Sequence, residues 1–194
     1  MMTSTSVPGQ RKANFWRDLH DPRTRYAEQL VYDYLRGVKR WLVTDTRKLH
    51  VPWDFEVHPH PGITWRLDVK ADRWMDESDR LPYETEHVYP DGSTKLGWGR
   101  IAELDVVAVV AMGKKGVRGS HRCVLVQRPA MHQLVESAIT KAERERCSMP
   151  ANWVPFKPDN ECGDYITHGW AVPMDQAFKA MVYRETWELP GGRS

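Results

Sequence analysis

The fold is decided by residues 63–72, which read ITWRLDVKAD. Apolar and polar side chains alternate along this segment, and a period of two is typical of a half-buried β-strand. The four apolar side chains from Ile63 to Val69 share one face, so Asp68 and Lys70 fall together on the other. The segment therefore predicts a strand with an acidic and a basic side chain next to each other near its end.

The segments on both sides of this strand predict an α/β or α+β sandwich. Apolar stripes with i, i+3/i+4 spacing predict one helix over Arg25–Leu42 and a second from Pro129 to Ala142. Further strands are predicted at Trp53–Val57, Tyr83–Tyr89, Leu104–Met112, Cys123–Val126, Ile166–Val172 and Met181–Trp187, and a turn at His58–Gly62. We expect a mixed sheet with the very apolar Leu104–Met112 in its interior and the first helix packed on one face.

Composition is that of an ordinary globular protein. The 194 residues are 41% hydrophobic and 28% charged, and the net charge of +2 means that affinity for nucleic acid would have to come from local basic patches. No run approaches the ~20 apolar residues of a membrane span, and the three cysteines lack metal-ligand spacing, so we expect a cytoplasmic protein without a membrane partner. We expect a flexible tail over residues 1–22, a core over 23–148 and an extension over 149–194 that packs on the core.

The chemistry is concentrated in Asp54, Asp68 and Lys70. Thirteen residues separate the two aspartates, and in an antiparallel hairpin that separation lets both carboxylates point to one face. Two carboxylates a few ångströms apart repel each other unless a cation neutralises them, and oxygen ligands suit Mg²⁺ or Mn²⁺. Lys70 could orient an attacking water as an ammonium or deprotonate one as a neutral amine. The bland alternative is a surface ion pair across the strands.

A resemblance to a known family depends on the order of these residues. Asp54, the strand 65–72, Glu84, the dipeptide Gly97-Trp98 and Asp105 follow one another as in the PD-(D/E)XK nuclease superfamily, in a phage and bacterial branch with a Lys-x-Asp continuation. The resemblance covers roughly residues 26–112. Here Trp53, rather than proline, precedes the first aspartate.

The resemblance implies a restriction-endonuclease-like core with a mixed sheet flanked by helices, and Mg²⁺- or Mn²⁺-dependent hydrolysis of DNA. It implies that Asp54, Asp68 and the backbone carbonyl of Val69 hold the cation and that Lys70 positions the water. Glu28 of the first helix would complete the first or second shell of the metal.

Other candidate residues keep two interpretations each. Glu84, Glu86 and Asp72 would hold a second metal or form ion pairs across the sheet with Arg66 or Arg73. The basic residues predicted to contact DNA are Lys114, Lys115, Arg118 and Arg122, with Arg11 and Lys12 in the tail. His58 and His60 are predicted to lie in a solvated loop rather than at a zinc site.

Two other classes of function stay open. The same fold could serve a non-catalytic subunit that binds nucleic acid or protein, and the nine tryptophans are compatible with a purely structural protein. Retention of both aspartates and the lysine favours the nuclease, which we expect in a bacterial or phage-infected cell and which could act as a homodimer.

Overall fold

The computed structural model describes residues 22–112, 121–156, 165–180 and 183–190. Its helices are α1 (Pro22–Gly37), α2 (Met75–Ser78), α3 (Arg128–Glu145) and α4 (Met174–Lys179), with a 3-10 turn at Trp98–Arg100. Its strands are β1 (Leu42–Asp45), β2 (Phe55–His60), β3 (Ile63–Asp72), β4 (Arg80–Val88), β5 (Thr94–Leu96), β6 (Val106–Ala111), β7 (His121–Gln127), β8 (Val154–Pro155), β9 (Ile166–Pro173) and β10 (Tyr183–Leu189).

The described strands form two sheets. The first is mixed, in the order β1-β2-β3-β6-β7-β10, and β3 and β6 run parallel while their other neighbours are antiparallel. The second is antiparallel, in the order β5-β4-β9-β8. The predicted mixed sheet with Leu104–Met112 in its interior is confirmed, because β6 has a neighbour on each side and all six of its residues are buried.

Each face of the mixed sheet has its own apolar core. On one face α1 buries Ala27, Val31 and Leu35 against alternate residues of β2 and β3, such as Phe55 and Leu67. The other face packs against α3, the short helices and the second sheet. The structure is therefore mixed α/β, with a mixed sheet between helices, and burial of these faces is the main favourable contribution to folding.

The first helix is shorter than predicted. The apolar spacing suggested that it continues to Leu42, but it ends at Gly37 and Leu42 begins β1. The N–H groups of Val38 and Lys39 both donate to the carbonyl of Tyr34, and Arg40 adopts a left-handed φ of 55°, so the backbone turns back here. The apolar residues beyond the helix satisfy the helical period by chance.

The predicted turn at His58–Gly62 was also too long. His58 and His60 belong to β2, where the His58 ring contacts the hydroxyl of Thr64 on β3 at 3.0 Å. The turn is confined to the next two residues and has Gly62 at φ 77°, a conformation that glycine adopts without steric cost. The two histidines therefore lie in a β-hairpin rather than in a loop.

Residues beyond 149 contribute strands to both sheets. β9 is paired with β4 along its whole length, and β10 is paired with β7 at one edge of the mixed sheet. The second sheet therefore depends on a segment that sequence patterns placed in a C-terminal extension.

Gly97 allows the 3-10 turn to lie directly on β4. A Cβ at this position would lie 2.5 Å from the backbone carbon and oxygen of the Glu84 carbonyl, and the backbone of a paired strand cannot move away. We expect Gly97→Ala to lower the free energy of unfolding by about 2 kcal/mol or more, as measured by urea denaturation. Gly37→Ala is the matched control, because nothing lies within 4 Å of its added Cβ. Equal stability of the two variants would contradict this packing.

Candidate functional site

The site forms where β3 changes neighbours within the mixed sheet. Up to Leu67 it pairs with β2, and from Leu67 to Asp72 it pairs with β6. The register between β2 and β3 ends at the pair Phe55 and Leu67, so Asp54, the residue before β2, lies beside the part of β3 that carries Asp68 and Val69. The two carboxylates are close enough for the charge of Asp68 to raise the pKa of Asp54. The hairpin therefore brings the two aspartates together, as the separation of thirteen residues predicted.

Asp54 bonds to β3 through both its backbone and its side chain, at the point where β2 has not yet begun. Its N–H donates to the carbonyl of Leu67 at 3.0 Å, which extends the β2–β3 ladder by one residue. Its carboxylate then accepts the N–H of Val69 at 2.8 Å. β3 extends past the first residue of β2, so one of its edges has no neighbouring strand there among the described residues. The bond fixes the Asp54 carboxylate at this edge, and it gives the Val69 N–H an acceptor where a strand is missing.

Asp68 and Lys70 form an ion pair on β3. The Lys70 Nζ lies 3.0 Å from Asp68 Oδ2, and the side groups keep 35% and 12% of their surfaces exposed, respectively. Asp68 Oδ2 is buried, and the ion pair with Lys70 is its described contact. A carboxylate oxygen has more than one lone pair, so the same atom has acceptor capacity left for a cation.

Burial and the neighbouring carboxylates raise the pKa of Asp54. Burial raises the pKa of Asp54 well above its usual value, and the charges of Asp68 and Glu28 raise it further. Lys70 is subject to opposing influences: burial, the largest, lowers its pKa, but the charges of Asp68, Glu84 and Asp54 together raise it above the usual lysine value. Lys70 is therefore surrounded by several carboxyl groups, which favour its protonated form.

Glu28 reaches the site from α1. It is partly buried, and its pKa is raised by burial and by the charge of Asp68, while Arg47 opposes this shift. Its Oε2 atom forms an ion pair with Arg47 at 3.3 Å. Glu28 is therefore close enough to both aspartates for their charges to interact. Its own carboxylate is bound by Arg47, a residue that the sequence patterns did not single out.

Glu84 also faces the site. Tyr83 is buried in the core, so the next residue of β4 points away from that core, and the Glu84 carboxylate is close enough to Lys70 for each charge to shift the other's pKa. Glu84 additionally lies 3.7 Å from His87, whereas Arg66 places its guanidinium over Trp53 at 5.0 Å. Glu84 therefore lies near Lys70 and His87, and Arg66 is not among its described contacts.

The remaining acidic candidates have other contacts. The Asp72 carboxylate accepts the N–H groups of Trp74 and Met75 at 2.7 and 2.6 Å, in the turn that leads into α2. In the second sheet the backbone of Glu86 pairs with Leu96 and His168, and the Glu86 charge contributes to the raised pKa of Arg100. The Asp72 carboxylate is thus bound by the turn before α2.

Asp105 joins β3 to β6. Its carboxylate accepts the N–H of Arg66 at 2.9 Å, and its own N–H donates to the Arg66 carbonyl at 3.1 Å. These two bonds continue the parallel pairing before β6 begins. Asp105 therefore aligns the strand that carries Asp68 with the interior strand of the sheet.

Of the basic residues predicted to contact DNA, only Arg122 lies in the described part of the protein. Lys114, Lys115 and Arg118 lie outside it, as do Arg11 and Lys12. The Arg122 guanidinium is paired with Asp76 at 3.0 Å and lies 3.6 Å from Asp79. In this structure Arg122 ties β7 to α2.

His87 gives the site a measurable dependence on pH. Burial, reinforced by the charges of Lys70 and Lys95, lowers the pKa of His87 to about 4, from 6.5 for a free histidine. The unfolded state therefore binds a proton first as the pH falls, and stability is lost from about pH 6.5 down towards pH 4. For a shift of this size the loss reaches at most about 3 kcal/mol.

We expect His87→Gln to flatten this loss of stability. The measurement is the urea midpoint of the variant and the wild type at several pH values between 4 and 7. His60→Gln, a change at an exposed histidine of β2, should keep the wild-type slope. A wild-type slope that persists in His87→Gln would place the acid-sensitive group elsewhere.

The candidate site offers two carboxylates as oxygen donors. Among the described residues, no group of three or more His, Cys, Asp or Glu side groups lies in an arrangement that could hold a metal ion. What the site offers is the Asp54–Asp68 pair, the buried Oδ2 atom and the raised pKa of Asp54. Mg²⁺ keeps several waters and commonly takes one or two protein carboxylates, so these features suit it.

No helix among the described residues is both long and apolar enough to cross a membrane. In comparisons with known proteins, no family model, no curated protein and no solved structure matches the sequence.

Proposed function

We propose that this protein is a metal-dependent nuclease that hydrolyses DNA phosphodiester bonds, with Asp54, Asp68 and Lys70 at its centre. The observation that carries the proposal is the pair of neighbouring carboxylates of Asp54 and Asp68, of which Asp68 has a buried Oδ2 atom. A lysine ammonium 3.0 Å from that oxygen completes the group. An ion pair that only stabilised the surface would be more exposed and would not need a second carboxylate facing it.

The proposed function implies a more specific fold than mixed α/β. We infer a restriction-endonuclease-like core formed by α1, the mixed sheet and α3. Support comes from the order of elements, since the hairpin β2–β3 carries both aspartates and β3 then runs parallel to the buried β6.

In the proposed mechanism Asp54 and Asp68 would hold one Mg²⁺ or Mn²⁺ ion, and the Val69 carbonyl would be a further oxygen donor. When bound, the ion lowers the pKa of water and neutralises charge that develops on the phosphate. The bond from the Val69 N–H keeps the Asp54 carboxylate directed at this position. Its rigidity means that little reorganisation is needed when the ion and substrate bind.

Lys70 acts in this mechanism as an ammonium. Its contact with Asp68 and the nearby charge of Glu84 favour the protonated form, so we assign it to orienting the attacking water and contacting the phosphate. Glu28 is assigned to the outer shell, because its carboxylate is already bound by Arg47. Lys114, Lys115 and Arg118, which lie outside the described residues, remain predicted contacts for the DNA backbone.

The direct test is incubation of the purified protein with single- and double-stranded DNA and RNA in Mg²⁺, Mn²⁺ or EDTA. We expect DNA to be cut with either metal and to stay intact in EDTA. Binding of DNA without cleavage under all metal conditions would instead support a non-catalytic nucleic-acid-binding protein. Neither cleavage nor binding of any substrate would contradict the proposal.

A further inference from the structure

Arg47 is held rigidly next to the carboxylate group. It lies shortly after β1, and its guanidinium grips Asp45 with two bonds, from Nε to Oδ1 at 3.0 Å and from Nη2 to Oδ2 at 2.6 Å. The Arg47 N–H also donates to Asp45 Oδ1 at 3.1 Å. Paired parallel bonds of this kind fix both the position and the plane of a guanidinium.

Two aromatic rings support the same guanidinium. Its central carbon lies 5.1 Å from the centre of the Phe55 ring and 5.8 Å from that of Tyr32. Phe55 immediately follows Asp54 in the sequence, and Tyr32 lies one helical turn after Glu28 on α1. Arg47 thus joins the strand that begins just after Asp54 to the helix that carries Glu28.

The remaining nitrogen of the Arg47 guanidinium contacts Glu28. Nη1 lies 3.3 Å from Glu28 Oε2, and neither residue exposes more than a quarter of its side-group surface. A glutamate side chain has three torsions, and like charges repel. A carboxylate that faces two aspartates would therefore rotate away from them if nothing held it. The arginine supplies that restraint.

We propose that Arg47 is a positioning residue that holds the Glu28 carboxylate at the metal site. The inference depends on the proposed function, because the site that it serves is the Asp54–Asp68 metal centre. Arg47 touches neither aspartate of that pair in the described contacts, and it acts through Glu28 alone. Outer partners of this kind commonly change metal affinity or activity by about 10- to 100-fold when they are replaced.

The informative substitution is Arg47→Lys. It keeps the positive charge, so the field at the metal site changes little, but a lysine cannot bind Asp45 with two parallel bonds and Glu28 with a third. A change in metal affinity then reports the loss of geometry rather than of charge. Arg36→Lys is the matched control, since Arg36 also lies over the Tyr32 ring, at 5.4 Å, and bonds its hydroxyl at 2.8 Å without touching Glu28.

The readout is the rise in melting temperature as Mn²⁺ or Mg²⁺ is titrated into the full-length protein, which needs no substrate. We expect Arg47→Lys to shift the metal midpoint by about tenfold to higher concentration and Arg36→Lys to leave it unchanged. Glu28→Gln should produce a comparable shift. In the double variant Arg47→Lys/Glu28→Gln the arginine change should add almost nothing, because the group that it positions is gone.

The outcomes separate the two proposals. A metal-dependent rise in wild type that Arg47→Lys leaves unchanged overturns the positioning role and leaves the nuclease proposal intact. Additive shifts in the double variant also overturn it, because they show that Arg47 acts independently of Glu28. Absence of any metal-dependent rise in wild type removes the metal site and with it both proposals.

Discussion

Asp54→Asn is expected to lower metal-dependent cleavage by at least about 10³-fold, because it removes one of the two charges that hold the cation. The substitution is nearly isosteric, and the asparagine oxygen can still accept the Val69 N–H that the aspartate accepts at 2.8 Å. The fold should therefore persist. Cleavage rates and metal-induced changes in melting temperature of both proteins are the measurements.

The same variant should be more stable than wild type when metal is absent. The pKa of Asp54 is raised by burial and by the charges of Asp68 and Glu28, so at neutral pH its ionised form costs free energy that a neutral amide does not. Added Mg²⁺ should then stabilise wild type and leave Asp54→Asn unchanged. Asp33→Asn, at an exposed aspartate of α1, is the control and should behave as wild type. Lower stability of Asp54→Asn without metal would show that the carboxylate has a structural role only.

Lys70→Met is expected to lower the cleavage rate by about 10²-fold or more while metal-induced stabilisation is retained. Methionine keeps an unbranched apolar stem, so the packing along β3 changes little, but the ammonium 3.0 Å from Asp68 is lost. Both aspartates remain, and the cation should still bind. The measurements are single-turnover cleavage at saturating metal and a metal titration of melting temperature.

Lys141→Met provides the control for Lys70→Met, because Lys141 is exposed on α3 and belongs to no described contact of the site. It should cut DNA at the wild-type rate. DNA binding by Lys70→Met should weaken only modestly, because one phosphate contact among several is removed. Wild-type cleavage by Lys70→Met would leave the nuclease proposal without its central residue and would favour the binding-protein alternative.

Sequence patterns predicted those parts of the fold that depend on periodicity within one element. The alternation in residues 63–72 and the apolar run at Leu104–Met112 correspond to β3 and to the buried interior strand β6. The end of α1 could not be read in this way, because Trp41 continues the helical spacing but packs on Trp65 and Trp187 in the aromatic cluster beyond the helix. Nor do periodicities show which strands join which sheet, so the pairing of β10 with β7 was not predicted.

The candidate site also has a part that local sequence predicts and a part that depends on tertiary packing. The proximity of Asp54 and Asp68 follows from residue counting in a hairpin, which is local geometry. Arg47 was missed because Asp45 and Arg47 look like ordinary charged loop residues, and only the packing of α1 on the sheet brings them to Glu28. Asp72 is a residue type that can bind a metal, but its carboxylate accepts the backbone N–H groups two and three residues later, a local pattern that aspartate often adopts in turns.

The most direct measurement is the appearance of new phosphate termini when end-labelled DNA is incubated with Mg²⁺ and wild type, with EDTA and wild type, or with Mg²⁺ and Asp68→Asn. If the two carboxylates hold the catalytic cation, termini should appear only in the first incubation. Cleavage by Asp68→Asn at the wild-type rate, or cleavage that survives EDTA, would contradict a metal centre at Asp54, Asp68 and Lys70.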